Sequence, residues 1–171
     1  MKKILFILLT ISTVILSYAF YSDKPQNGKG NKEIKWTNIE KGSKDIKSSN
    51  KKMIIDVYTD WCGWCKQMDK STYGNAEVAN YISNNFIAVK LNAESKSQMN
   101  YLGESYTEQQ IAQGFGITGY PATIFIDENQ KPITVVPGYI EGKQFMDILK
   151  YIKEDYYKTK SFEEYMQTAK N

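Results

Sequence analysis

Histidine and arginine are both absent from this sequence, so all 22 of its basic side chains are lysines. Missing histidine removes the commonest general base and metal ligand at neutral pH. Missing arginine removes the planar fork that reads phosphates and guanine edges through paired hydrogen bonds. A formal charge of +3 over 171 residues is also small, and no nucleic-acid partner is expected. Cysteine is scarce too: the chain has two, Cys62 and Cys65, with two residues between them. Any chemistry must therefore run on thiols, carboxylates, lysines or tyrosines. What remains is ordinary, 42% hydrophobic and 24% charged, enough for one well-filled domain with an extension.

Residues 1–19 begin with Lys2 and Lys3, continue as an apolar run from Ile4, and close on "SYA". That is the layout of a secretory signal peptide cleaved after Ala19. The run is also near the lower length limit of a membrane anchor, so the membrane is a partner only if the segment stays uncleaved. Either way the working part is expected outside the cytoplasm, periplasmic or secreted. Residues 20–32 are polar, carry Pro25, Gly28 and Gly30, and read as a flexible tether.

Further along, "EIKWTNI" reads as a short strand and the lysine-rich stretch after it as a helix or loop. "MIIDVYTD" is apolar and β-branched, the pattern of a buried central strand. The cysteines follow directly and open a helix, because "CKQMDKSTY" contains no breaker. Asn75 caps a second helix with Val78, Ile82 and Phe86 on one face, and "FIAVKLNA" is the next strand. A polar segment around 95–106 has no assignable role. Thr107 and Gln110 then sit at capping-box spacing. "PATIFID" and "PITVVPG" form an antiparallel pair. A final helix over 141–157 aligns Phe145, Ile148, Leu149, Ile152 and Tyr156. The order β-α-β-α-β-α-β-β-α predicts an α/β fold, a mixed central sheet with helices on both faces.

Three roles compete for a lone cysteine pair. A structural zinc needs four ligands, and one pair without histidine cannot supply them, so no metal is expected. A stabilising staple over so short a loop is worth only about 2 kcal/mol. A redox dithiol fits position as well as spacing. The strand ends near Asp60 and the helix begins near Cys62, where backbone N–H groups and the helix dipole favour the first thiolate. Cys62 is then the exposed attacking thiol and Cys65, one turn on, the shielded resolving one.

"WCGWCK" after "MIIDVYTD", with "GYPATIFID" some fifty residues later, resembles the thioredoxin-fold family. The stretch "DVYTDWCGWCKQMDKSTYGNAEVANYI" is similar in style to the C-terminal thioredoxin-like domain of the bacterial transmembrane reductant carrier DsbD. The resemblance spans about Ile34 to Tyr157, which sets a thioredoxin-like domain at 33–158 and a helical extension at 159–171. It implies that Asp56 is a buried carboxylate beneath the second cysteine, able to take its proton. It implies that Pro121 is a cis-proline presenting the backbone of Tyr120 to a substrate strand. Trp61, Gly63, Trp64 and Tyr120 become substrate contacts. The dipeptide Gly63-Trp64 departs from the Gly-Pro of thioredoxin and the histidine-containing pairs of disulfide isomerase and DsbA. With no histidine beside Cys62, a strongly oxidising potential is not expected.

The resulting expectation is a secreted thiol–disulfide oxidoreductase that needs no cofactor and mainly reduces disulfides of exported proteins. A membrane thiol donor would re-reduce it. The alternatives are net oxidation or isomerisation on the same site, or a redox-sensing binding protein.

Overall fold

The computed structural model describes residues 33–169. The expected signal segment and tether lie outside the described residues. Among those described, no helix is long and apolar enough to cross a membrane.

A four-stranded sheet organises the chain, its strands lying side by side in the order β2 (Phe86–Asn92), β1 (Lys52–Tyr58), β5 (Ala122–Ile126) and β6 (Pro132–Pro137). Strand β1 (Lys52–Tyr58) is buried nearly throughout, as an apolar strand with neighbours on both sides must be. It runs parallel to β2 (Phe86–Asn92) and antiparallel to β5 (Ala122–Ile126). Strand β6 (Pro132–Pro137) pairs antiparallel with β5 and forms an edge, with a proline at each end.

Alternation along β1 sends Ile54 to one face and Met53, Ile55 and Val57 to the other. On the Ile54 face lie the cysteine helix α2 (Gly63–Met68), α3 (Ala76–Asn85) and α5 (Gly142–Lys153). Asn75 caps α3, and Phe145, Ile148, Leu149 and Ile152 form the buried stripe of α5, both as expected. The opposite face packs α1 (Ile39–Ser49) and α4 (Glu108–Gly114). Helix α1 lies so close to the sheet that a Cβ at Gly42 would come 2.5 Å from Val89 Cγ2. Thr107 and Gln110 form the capping box of α4.

Three elements differ from the sequence reading. "EIKWTNI" is not a strand: only Thr37 bridges Val89, because Asn38 caps α1 one residue later and ends the extended chain. The polar 95–106 segment contains a hairpin, β3 (Gln98–Tyr101) and β4 (Glu104–Thr107). Its turn holds both Leu102 and Gly103 at positive φ, and leucine there hides the usual Asn-Gly signal. The last long helix stops at Lys153 rather than 157. Asp155 takes a left-handed conformation, its carboxylate held by the buried Lys52 at 3.0 Å, and Tyr156 leaves the stripe for a 3₁₀ turn. Helix α6 (Phe162–Ala169) follows in the expected extension and packs Tyr165 against Tyr151, Tyr156 and Phe162.

Candidate active site around the Cys62–Cys65 disulfide

Beyond Tyr58 the chain turns once, with the Cys62 N–H donating to Thr59 O at 3.1 Å. Cys62 is the N-cap of α2, and its Sγ accepts the Cys65 N–H at 3.1 Å. The two sulfurs are joined in a disulfide. A sulfur at an N-cap meets a backbone donor that the helix cannot otherwise satisfy. The expected contrast between an exposed Cys62 and a shielded Cys65 is absent in this oxidised form, where both residues are 4% exposed. The Cys62 side chain is folded onto the first turn of the helix and bonded there, which leaves little of it open.

The helical run continues beyond α2 through a π turn, Asp69–Tyr73, closed by Gly74 N–H donating to Asp69 O. A Cβ at Gly74 would lie 2.4 Å from Lys70 O, so the wide turn requires glycine. The turn directs three side chains to separate tasks. Asp69 meets Lys90, the Thr72 hydroxyl donates to Ile140 O, and Tyr73 is buried against Trp36 and Phe145.

Beneath this helix the strand register lines up Lys90, Asp56 and Thr123 on neighbouring strands of one sheet face. Asp56 is 2% exposed, as the resemblance implies. Its Oδ2 accepts from Lys90 Nζ at 2.5 Å, while Oδ1 has no hydrogen-bond partner among the described residues. Burial pushes the Asp56 carboxyl above the ordinary range, and Lys90 opposes this without cancelling it. Burial alone would lower the Lys90 ammonium, but Asp56 and Asp69 together hold it above its ordinary value. The Lys90 Nζ lies among the rings of Trp36, Tyr58 and Tyr73, 5.0 to 5.6 Å from their centroids. Tyr73, fully buried and near Asp56, is pushed well above a normal phenol, and its hydroxyl shares a 3.3 Å hydrogen bond with Thr123.

The rim is aromatic. Trp61, 66% exposed, donates its indole N–H to Glu94 at 2.9 Å and meets Tyr120 edge-on. The Tyr120–Pro121 bond is cis. Trp64, 60% exposed, leans on Tyr139, and Gly63 lines the same groove.

Residues 39–153 match the thioredoxin-like domain family. The chain belongs to the thioredoxin-like family. It is 28% identical over 104 residues to the thiol:disulfide interchange protein DsbD of Actinobacillus pleuropneumoniae, covering 60% of this chain and 16% of that one. Against DsbD of Photorhabdus laumondii the identity is 24% over 158 residues, 88% of this chain and 26% of the other. The thioredoxin-like chain thus spans about a quarter or less of these relatives. Among solved structures it superposes on a thioredoxin-fold protein from Helicobacter pylori with TM-score 0.62, at 22% identity over 77% of this chain and 91% of that one. The oxidised C-terminal domain of DsbD from Neisseria meningitidis gives 0.52, at 18% identity over 66% and 90%. Within that family fold, the Cys62–Cys65 pair is intact and closed as a disulfide at a helix N-terminus, the group that thiol–disulfide exchange requires.

Sequence reasoning places Cys62, Cys65, Asp56, Trp61, Gly63, Trp64, Tyr120 and Pro121 in the region, and misses Lys90, Asp69, Tyr73, Glu94 and Tyr139. For Lys90 a signal exists: Asp56 and Lys90 are opposite charges at the centres of two apolar strands, which can be buried only as a pair.

Proposed function

We propose that the protein is a secreted reductant of disulfides in exported proteins, recharged by a thiol donor in the membrane. The observation that carries this reading is a disulfide at a helix N-terminus, set over a sheet face that buries Asp56 and pairs it with the partly buried Lys90. In the reduced protein, the Cys62 thiolate attacks a substrate disulfide, forming one S–S bond and expelling one substrate thiolate. Cys65, its proton passed to the Asp56 carboxylate, then attacks the Cys62 sulfur and expels the second thiolate. Two electrons have moved to the substrate, and the protein holds the disulfide seen here. A donor dithiol returns the two electrons.

The direction follows from how little stabilises the first sulfur. Cys62 Sγ accepts one backbone N–H, while Lys90, a partly buried cation on the same sheet face, is engaged by two carboxylates. A strong oxidant needs a more heavily stabilised thiolate, so the potential belongs on the reducing side of about −200 mV. Equilibration with glutathione buffers, read by tryptophan fluorescence, tests this. A potential above about −150 mV makes the protein an oxidant instead. Export rests on the two-lysine, apolar-run, "SYA" layout of residues 1–19. N-terminal sequencing of exported protein should begin at or near Phe20.

A further inference from the structure

The two indoles beside the disulfide have different surroundings. Trp61 is engaged by Glu94 and Tyr120, whereas the exposed Trp64 lines an open groove of about 730 Å³ with Gly63, Gln67, Tyr139 and Glu141. The Trp64 and Tyr139 rings lie 5.3 Å apart and tilted by 43°, forming one aromatic wall. That wall is braced from the helix. The Tyr139 hydroxyl shares a 2.9 Å hydrogen bond with Ser71, whose own hydroxyl donates to Gln67 O. Thr72 ties down the neighbouring residue through Ile140 O. A wall already ordered costs little to dock against.

Glu141 stands at the N-cap of α5, where a side chain ordinarily accepts a first-turn N–H. It makes no capping hydrogen bond and no ion pair among the described residues. Among the described residues, no lysine lines the groove. The site therefore offers an unpaired carboxylate and two aromatic faces within reach of the disulfide, a combination complementary to an organic cation.

We infer that this groove reads a basic side chain beside the reacting cysteine of the substrate. The cation lies over the Trp64–Tyr139 wall with Glu141 as its counter-ion. The inference rests on the reductase reading and names a substrate class for it: polypeptides whose disulfide is flanked by lysine or arginine. Arginine is favoured, because its planar guanidinium both stacks and forms paired hydrogen bonds with a carboxylate.

Three synthetic peptides test this, each with one cysteine held as a mixed disulfide with glutathione. They differ only in having Arg, Gln or Glu next to that cysteine. Reduced protein converts each to free peptide thiol and glutathione while forming its own disulfide, which tryptophan fluorescence follows. The Arg peptide should react about tenfold faster than the Glu peptide at low salt, with Gln between them and the gap narrowing at high salt. Glu141→Gln and, separately, Tyr139→Leu should each bring the Arg-to-Glu ratio to within about twofold. Equal rates with all three peptides overturn the inference and leave the reductase reading intact. So does an undiminished preference in both variants, which would place the selectivity elsewhere. No reaction with any peptide overturns the redox reading itself, and the inference with it.

Discussion

The Cys62–Cys65 turn and the Asp56–Lys90–Asp69 cluster lie on the same side of the sheet, yet they are put together in opposite ways. The turn is complete within four residues: a cap, one N–H to sulfur hydrogen bond and a disulfide closed over a single helical turn. The cluster draws one residue each from β1, β2 and the π turn, with sequence separations of 34 from Asp56 to Lys90 and 21 from Asp69 to Lys90. A local device can be lost only through its own residues, and its loss is chemical. A non-local one is coupled to folding itself, so disturbing it shifts stability and its dependence on pH before it shifts chemistry.

The strongest way to break the comparison is at the sulfurs. Cys62→Ser should lower insulin reduction by roughly a thousandfold or more while leaving urea stability near that of the reduced wild type. Cys65→Ser should abolish turnover similarly but accumulate mixed disulfides with substrate, visible on non-reducing gels. Trapping by Cys62→Ser instead would reverse the assigned roles.

Next in size is the cluster. Lys90→Met leaves Asp56 buried without its partner, a loss of roughly 2–4 kcal/mol by urea denaturation, reduced from a fully buried pair because the Lys90 side chain is 22% exposed. The loss should be smaller at acid pH, where Asp56 takes up a proton and no longer needs a cation. Lys90→Met with Asp56→Asn should recover much of the loss, and simple additivity of the two changes would contradict their coupling.

Asp56→Asn alone tests the sign of the pH effect. The carboxyl is raised in the folded protein, so its favourable contribution is fully present below the unfolded value and is lost as pH rises through the folded one. Asp56→Asn should therefore be more stable than wild type at pH 8, with the difference vanishing near pH 3. A difference that grows toward acid pH would mean that Lys90 outweighs burial. The same variant should slow the second step of the disulfide cycle at neutral pH, through loss of the proton acceptor.

The smallest effect belongs to the rim. Glu94→Gln weakens the acceptor of the exposed Trp61 N–H and should lower kcat/KM for insulin roughly threefold, with unfolding stability nearly unchanged. A large stability change would move Glu94 from the rim to the fold.

Legibility in the sequence follows the same division. The dithiol, its helix, the cap at Asn75 and the capping box at Thr107 and Gln110 are all spacings of three or four residues, and a helix turns each such spacing into a contact. Residues around Cys62 and Cys65 therefore announce their chemistry before any fold is known. The burial of Asp56 is half legible, since its apolar neighbours indicate a central strand but not what answers its charge. Lys90 answers it only because β2 runs parallel to β1 in one register; a slip of one residue would turn the lysine to the opposite face. Likewise the hairpin at 98–107 depends on Leu102 accepting a positive φ, and the groove beside Trp64 on Tyr139, which the edge strand β6 delivers to the cysteine end of the sheet. Short-range hydrogen bonding was enough to determine which atoms could exchange electrons. Which charge stands beneath them, and which surface they present, was decided by strand register and packing, whose partners no local pattern specifies.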